Sequence, residues 1–378
     1  MQRISKMFRI RNCGRHSRIR KGNDCDLRTL IANCRHMTRI GIIGLSHDHV
    51  WDILPDLAAH PDAELVAAAS AQLPLLQRIK KEYGVNTYPD AQEMSAGESL
   101  DAVYLYGNNR AGAEEGVAAL NRGWHVLIEK PLAADLGGAR HLMQAADTAG
   151  KRLMVNWPTA WWPALQHALQ MAQAGEIGNV WQVKYRAAHE GPKEMGASEH
   201  FCDWLYDPER NGGGALIDYC CYGANFARIL LGRPQSVTGV AGCLVKPALD
   251  AEDNAVLLMQ YPNALAIAEA SWTQIGKLTS YETIIYGTEG TLFVEPENGR
   301  LLQATSKHPE GREVNVPEPP AHLANSTAHF LWGIENDEAY QAMCRPGINV
   351  DAQEILEAGR EAVAQGAAVE LLHPTEMD

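Results

Sequence analysis

The chain has 378 residues and a formal charge of −13 at pH 7, but the charge is unevenly spread: residues 1–37 hold ten Lys/Arg against Asp24 and Asp26, which leaves the remainder near −21. A body this acidic excludes a binder of phosphate backbones, which needs a basic face, and no run approaches the roughly 20 apolar residues of a membrane span. The length has room for two ordinary domains, each with a core of its own.

Residues 1–37 are Arg-rich and lack an apolar stripe. That is the composition of an organellar transit peptide, but Met37 directly before the first strand would be a natural start, and the segment is read as a basic extension, unstructured or non-native. From 39 to 155 strands and helices alternate. Strands are expected at RIGIIG (39–44), ELVAAAS (64–70), LDAVYLYG (100–107), WHVLIEK (124–130) and RLMVNW (152–157), with amphipathic stretches between them ending at Gly84, Gly123 and Gly150. Strands spaced by helices in this way indicate a doubly wound parallel sheet. Past 156 the texture changes. A helix over about 163–174 precedes a run of strands at NVWQVKYRAAH, SVTGVAGCLV, NAVLLMQYP, ALAIAEASW, YETIIYG and TLFVEP, and an amphipathic helix, VDAQEILEAGREAVAQG, closes the chain. Strands without intervening helices imply a mainly antiparallel open sheet, one face of which suits a partner subunit. The expected fold is therefore α/β: an N-terminal Rossmann domain over 38–155 and a C-terminal α/β domain over 156–378. Eight cysteines show no paired C-x-x-C spacing, so reduced thiols and a cytoplasmic setting are expected.

The first strand and its turn pose the main question. A dinucleotide fingerprint needs glycine for the turn, for the approach of the pyrophosphate and for helix packing. Gly44 keeps the first of these, while Ser46 and His49 replace the others. Helix N-terminal amides bind anions whatever the side chains, so Gly44, Leu45, Ser46 and His47 are read as an altered phosphate loop. The i, i+2 spacing of His47 and His49 does not put both imidazoles on one helical face, unlike i, i+4, and no metal site is expected. At the end of the second strand an NAD enzyme places an acid on the ribose hydroxyls. Here the strand ends in Ser70, Ala71 and Gln72, with no acid, and no Arg or Lys follows immediately; Arg78 and Lys81 lie further on. The choice between NAD and NADP stays open.

Several ordered motifs then resemble one family: GIIG (41–44), LPDLAAHPDAELVAA (54–68), DAVYLYGNN (101–109), Glu129-Lys130-Pro131, GEIGNV (175–180), GGGALID (212–218) and GTEGTL (287–292). Together they resemble the glucose–fructose oxidoreductase / inositol dehydrogenase family across residues 38 to about 365. The resemblance implies NAD(P)-dependent hydride transfer at a CH–OH group of a sugar, polyol or related small molecule. It also implies cofactor contacts from Gly107, Asn108, Asn109, Glu129, Lys130 and Pro131, a cis Lys130–Pro131 bond, and a homodimer or homotetramer formed through the C-terminal sheet. Lys130 and Asp218 match the family's catalytic positions. Tyr222 stands where many members carry histidine, Asn225 where they carry aspartate and Cys220 where they carry glycine. Lys130 is expected to lower the Tyr222 pKa and make it the acid/base. Trp157, Trp161, Trp162 and Asn225 are expected at the substrate. Two alternatives share the scaffold: glycoside cleavage with retained NAD, and a non-catalytic ligand sensor.

Overall fold

A computed structural model describes residues 37–296 and 299–371; the basic extension before Met37 lies outside the described residues. Strands β1 (Thr38–Ile43), β2 (Ala63–Ala69), β3 (Asn86–Tyr88), β4 (Ala102–Leu105), β5 (His125–Glu129) and β6 (Leu153–Asn156) form a parallel sheet in the order β3-β2-β1-β4-β5-β6. All of β4 and β6 is buried, which is why these segments read as continuous apolar runs. Helices α1 (Val50–Ala59), α2 (Leu73–Tyr83), α3 (Ala91–Gly97), α4 (Asn109–Asn121) and α5 (Leu136–Ala149) connect the strands. The strand order reverses between β1 and β4, and that switch point opens the crevice in which such sheets take ligands. The sequence reading has five of these strands. It lacks β3, a three-residue strand too short to carry a pattern, and α3, whose start is fixed by Asp90 accepting from the Glu93 amide at 2.8 Å.

The second sheet has nine strands: β7 (Val180–Ala188), β8 (Ser236–Gly242), β9 (Asn254–Gln260), β10 (Leu265–Ser271), β11 (Glu282–Gly287), β12 (Gly290–Val294), β13 (Leu301–Thr305), β14 (His308–Val314) and β15 (Val369–Glu370). Its order is β14-β13-β12-β11-β7-β10-β9-β8-β15, antiparallel throughout except for the parallel β7–β10 pair. Alternate residues of β9 and β10 are buried. They face α8 (Cys221–Leu231) and α10 (Pro346–Gln365); α6 (Pro163–Gln173), α7 (Glu199–Leu205) and α9 (Ser326–Asn336) complete the helices used below. Val240, Leu258 and Leu265 are exposed on the opposite face. The sequence reading omits β13, β14, β15, α7 and α9. The β14 segment, HPEGREV, carries proline, glycine and charge, and forms a strand through its pairing with β13. No helix among the described residues is long and apolar enough to cross a membrane.

Candidate active site

The crevice begins where β1 ends. Gly44 has φ +76°, and a Cβ placed on it would lie 2.5 Å from the Gly107 backbone nitrogen. The ends of β1 and β4 thus meet without side chains, leaving a backbone-lined cradle that a Cβ would fill. Helix α1 starts only at Val50; residues 44–46 leave the strand and residues 47–49 form a hydrogen-bonded turn, the Val50 amide donating to the His47 carbonyl at 3.0 Å. Helix α7 covers that loop. The Trp204 indole donates to the Ser46 carbonyl at 3.3 Å, the Phe201 ring lies 4.7 Å from that of His47, and the Asp48 carboxylate accepts from the Ser198 amide and hydroxyl at 2.7 and 2.6 Å. Leu45, Ser46 and His47 are buried. Burial, helped by His49 and Lys130, pushes His47 well below the usual histidine range, so its ring is neutral.

The spacing argument about the histidines does not describe the folded chain. It assumed a helix, whereas His47 precedes the helix and His49 is its N-cap, so the two rings come within 4.5 Å. Across the crevice, Glu129 and Asn156 are register partners on β5 and β6, and the Asn156 amide donates to Glu129 Oε2 at 2.6 Å. Glu129 Oε1 faces His49 Nδ1 at 3.0 Å. The Lys130–Pro131 bond is cis.

Asp218 reaches Lys130 from the other half of the molecule. A Cβ at Gly212 would overlap the Ala134 carbonyl just past the Lys130 loop, so the glycine run is what lets the two segments touch. A π-helical turn, Leu216–Cys220, then leads into α8. Lys130 Nζ donates to Asp218 Oδ1 at 2.8 Å and to its carbonyl at 3.2 Å, and the Trp272 indole donates to Oδ2 at 3.1 Å. Burial works against the lysine charge, but the Asp218 carboxylate wins and holds the ammonium above the usual lysine range.

The lowering of the Tyr222 pKa expected from this ammonium is outweighed by burial. Lys130 Nζ stands over the ring face, 5.2 Å from its centroid, and burial pushes the phenol well above its ordinary pKa. Tyr222 is therefore a neutral O–H, packed against Tyr185 and Trp157 with ring centroids at 5.3 and 4.9 Å. Among the described residues its hydroxyl has no hydrogen-bonding partner. Tyr219 is the contrasting case, and sequence reasoning missed it, because a tyrosine one residue after Asp218 carries no motif. Its hydroxyl lies 2.6 Å from His189 Nε2 and 3.0 Å from the Tyr281 hydroxyl. His189 Nδ1 accepts from the Gly191 amide at 2.9 Å, so in the neutral ring Nε2 carries the proton and donates to Tyr219. Burial lowers His189 to about 4, which keeps it neutral.

The remaining sequence candidates divide between crevice and core. Asn108 is the N-cap of α4, its Oδ1 accepting from the Ala111 amide at 2.9 Å. Asn109 donates to Asn211 Oδ1 at 2.7 Å, tying the crevice to the glycine run. Ser70 spends its proton on Gln72 Oε1 at 2.7 Å, while Arg78 stacks on Trp51 at 3.6 Å and pairs with Glu82. Trp161 donates to Asn156 Oδ1 at 3.2 Å and so joins the Glu129 network, and Trp162 is half-buried beside it. Trp157 and Asn225 are sealed in the core instead, where both meet Asn349 Oδ1, at 3.0 and 3.3 Å. Their position beneath Tyr222 gives them a packing role, not an open face toward substrate.

Sequence reading also passes over Glu115 on α4. Burial and the neighbouring Glu114 raise it to about 7, and its Oε2 is buried without a hydrogen-bond partner. A carboxyl raised in the folded state opposes folding once it ionises. The penalty is absent below the unfolded value, grows from about pH 4.5 upward and is complete above about pH 7. Glu115→Gln is therefore expected to raise the urea midpoint at pH 8 more than at pH 5. An equal gain at both would refute the buried-carboxylate assignment.

Comparison with known proteins agrees with this geometry. Residues 38–157 match the family described as "Oxidoreductase family, NAD-binding Rossmann fold", and residues 165–293 match the GFO/IDH/MocA C-terminal domain. The D-xylose 1-dehydrogenase (NADP(+)) 2 of Haloferax volcanii is 28% identical, covering 88% of this chain and 99% of its own. The dTDP-3,4-didehydro-2,6-dideoxy-alpha-D-glucose 3-reductase of Streptomyces antibioticus is 28% identical over 78% of this chain and 88% of its own. In fold, the chain matches the aldose-aldose oxidoreductase of Caulobacter crescentus with a TM-score of 0.75 at 20% identity, covering 89% of this chain and all of that one. With both halves matched in order around the Lys130–Asp218 contact, the chain belongs to the GFO/IDH/MocA family of NAD(P)-binding oxidoreductases.

Proposed function

We propose that this chain interconverts a CH–OH group and a carbonyl on a sugar or polyol, with residues 38–155 holding NAD or NADP and residues 156–378 the substrate. The buried 2.8 Å contact between Lys130 and Asp218, which joins the two halves at the crevice, carries the reading. The names of the relatives, a xylose dehydrogenase and a deoxysugar reductase, support the substrate class. The backbone cradle at Gly44 and Gly107 fits a pyrophosphate, with Leu45, Ser46 and His47 beside it. Asn108, Asn109, Glu129, Lys130 and Pro131 line the rest of the cofactor path. A nicotinamide held there would supply or accept the hydride. In the reductive direction Lys130, kept as an ammonium by Asp218, polarises the substrate carbonyl, and the free Tyr222 hydroxyl delivers the proton to the oxygen. The tyrosinate left behind takes its proton back from solvent; oxidation would need that tyrosinate as the base, and the raised phenol pKa favours the reductive direction. Trp161 and Trp162 offer flat faces to a sugar ring. The same reading puts a second copy of the chain against the exposed face of the nine-stranded sheet, and the reaction in the cytoplasm.

The two tyrosines provide the test. Tyr219 uses its hydroxyl within the protein, accepting from His189 and facing Tyr281, whereas the Tyr222 hydroxyl is free for a ligand. Tyr222→Phe should lower kcat about 10²–10⁴-fold, the usual worth of a positioned acid, with dinucleotide affinity unchanged. Tyr219→Phe should have a much smaller effect on kcat. NAD(P)H turnover with D-xylose, myo-inositol and a panel of aldoses and ketoses is the assay. Full activity in Tyr222→Phe would remove it from the proton path, and no turnover across the panel would remove the substrate class.

A further inference from the structure

We propose that His47, His49 and Glu129 bind one divalent cation of the transition-metal class, such as zinc, cobalt or manganese, at the mouth of the crevice. One ligand atom from each of the three residues lies within 4.8 Å of the other two. His49 Nδ1 and Glu129 Oε1 are already 3.0 Å apart, close to the separation of two ligands on a single cation with bonds of about 2.1 Å. The second Glu129 oxygen is held by Asn156 at 2.6 Å, and Asn156 is held in turn by Trp161 at 3.2 Å. Ligating carboxylates are oriented by outer partners in this way.

A hydrogen bond between His49 and Glu129 would explain that pair alone. It leaves His47 unexplained. His47 is 2% exposed, its Nδ1 meets the His49 amide at a long 3.3 Å, and among the described residues its Nε2 has no hydrogen-bonding partner. Ligation of a cation through Nε2 would place the ring proton on Nδ1 and give up that long amide contact. The local charge permits it, because the nearby Lys130 ammonium is paired with Asp218. Two imidazoles and one carboxylate suit borderline cations, whereas magnesium and calcium favour all-oxygen sets. Three protein ligands leave a coordination position open, as in sites that act on a bound molecule rather than hold a fold together. The His49 side chain, 34% exposed, faces the entry.

Untagged, chelator-stripped protein titrated with Co²⁺ tests the assignment. One equivalent should bind, with a visible d–d absorption band that excess Mg²⁺ does not displace and that Zn²⁺ does. Asn156→Ala should weaken binding about 10–100-fold, the usual effect of losing an outer partner. His49→Ala and the near-isosteric Glu129→Gln should abolish the band. Non-saturating binding, equal competition by Mg²⁺, or an unchanged band in Glu129→Gln would overturn the proposal. NADH fluorescence titration of His49→Ala reports separately on the dinucleotide site, so failure of the metal site and failure of the dehydrogenase reading give different results.

Discussion

Lys130→Met should cost about 3–5 kcal/mol of stability, the usual loss when one partner of a buried ion pair is removed. The Lys130 and Asp218 side chains are 3% and 9% exposed, so the substitution strands a carboxylate with the Trp272 indole as its remaining side-chain donor. Loss of a catalytic group alone would leave the urea midpoint where it was. Lys130→Met combined with Asp218→Asn should recover most of the stability, because the stranded charge is gone, while turnover stays abolished. Equal midpoints for the single and double variants would show that the pair contributes nothing to folding. The two readouts therefore separate the structural role of this contact from its chemical one.

Gly44→Ala should be as severe, about 3–5 kcal/mol, which places it among the largest single-residue effects. Two costs add. The left-handed backbone at φ +76° costs an L-residue roughly 1–2 kcal/mol. The new Cβ also meets the Gly107 backbone, two residues past the end of β4, which cannot yield as a flexible side chain would. Gly84 is the internal control: its φ is +71° but nothing lies within 4 Å of a Cβ there, so Gly84→Ala should cost the backbone strain alone. Chemical denaturation of both variants measures the difference. If they prove equally destabilised, the close approach of β1 and β4 is looser than described. If the cradle holds the pyrophosphate as proposed, Gly44→Ala should also lose NADH binding.

The sequence by itself determined the parallel sheet, because strands buried on both faces must be continuously apolar and their helices must follow at regular spacing. It also determined the switch from helix-separated strands to a run of strands near residue 156, and the positions of Lys130 and Asp218 within motifs specific enough to be recognised. Short or edge elements were not legible: β3 has too few residues for a period, and β14 is a strand because β13 supplies its hydrogen bonds.

Tertiary structure decided what each side chain meets. Position 222 announced a tyrosine four residues after Asp218, but the ammonium lies over its ring, and burial keeps the phenol protonated. Trp157 and Trp161 look alike in sequence, yet one is sealed in the core and the other reaches the Glu129 network. Tyr219 gained its partner from His189, thirty residues earlier, and His49 met Glu129 from eighty residues away. The physical reason is common to these cases. Backbone pattern is set by local sterics and by which face must leave water, both of which repeat along the chain. The charge, burial and hydrogen bonding of a site depend on groups that only folding brings within a few ångströms.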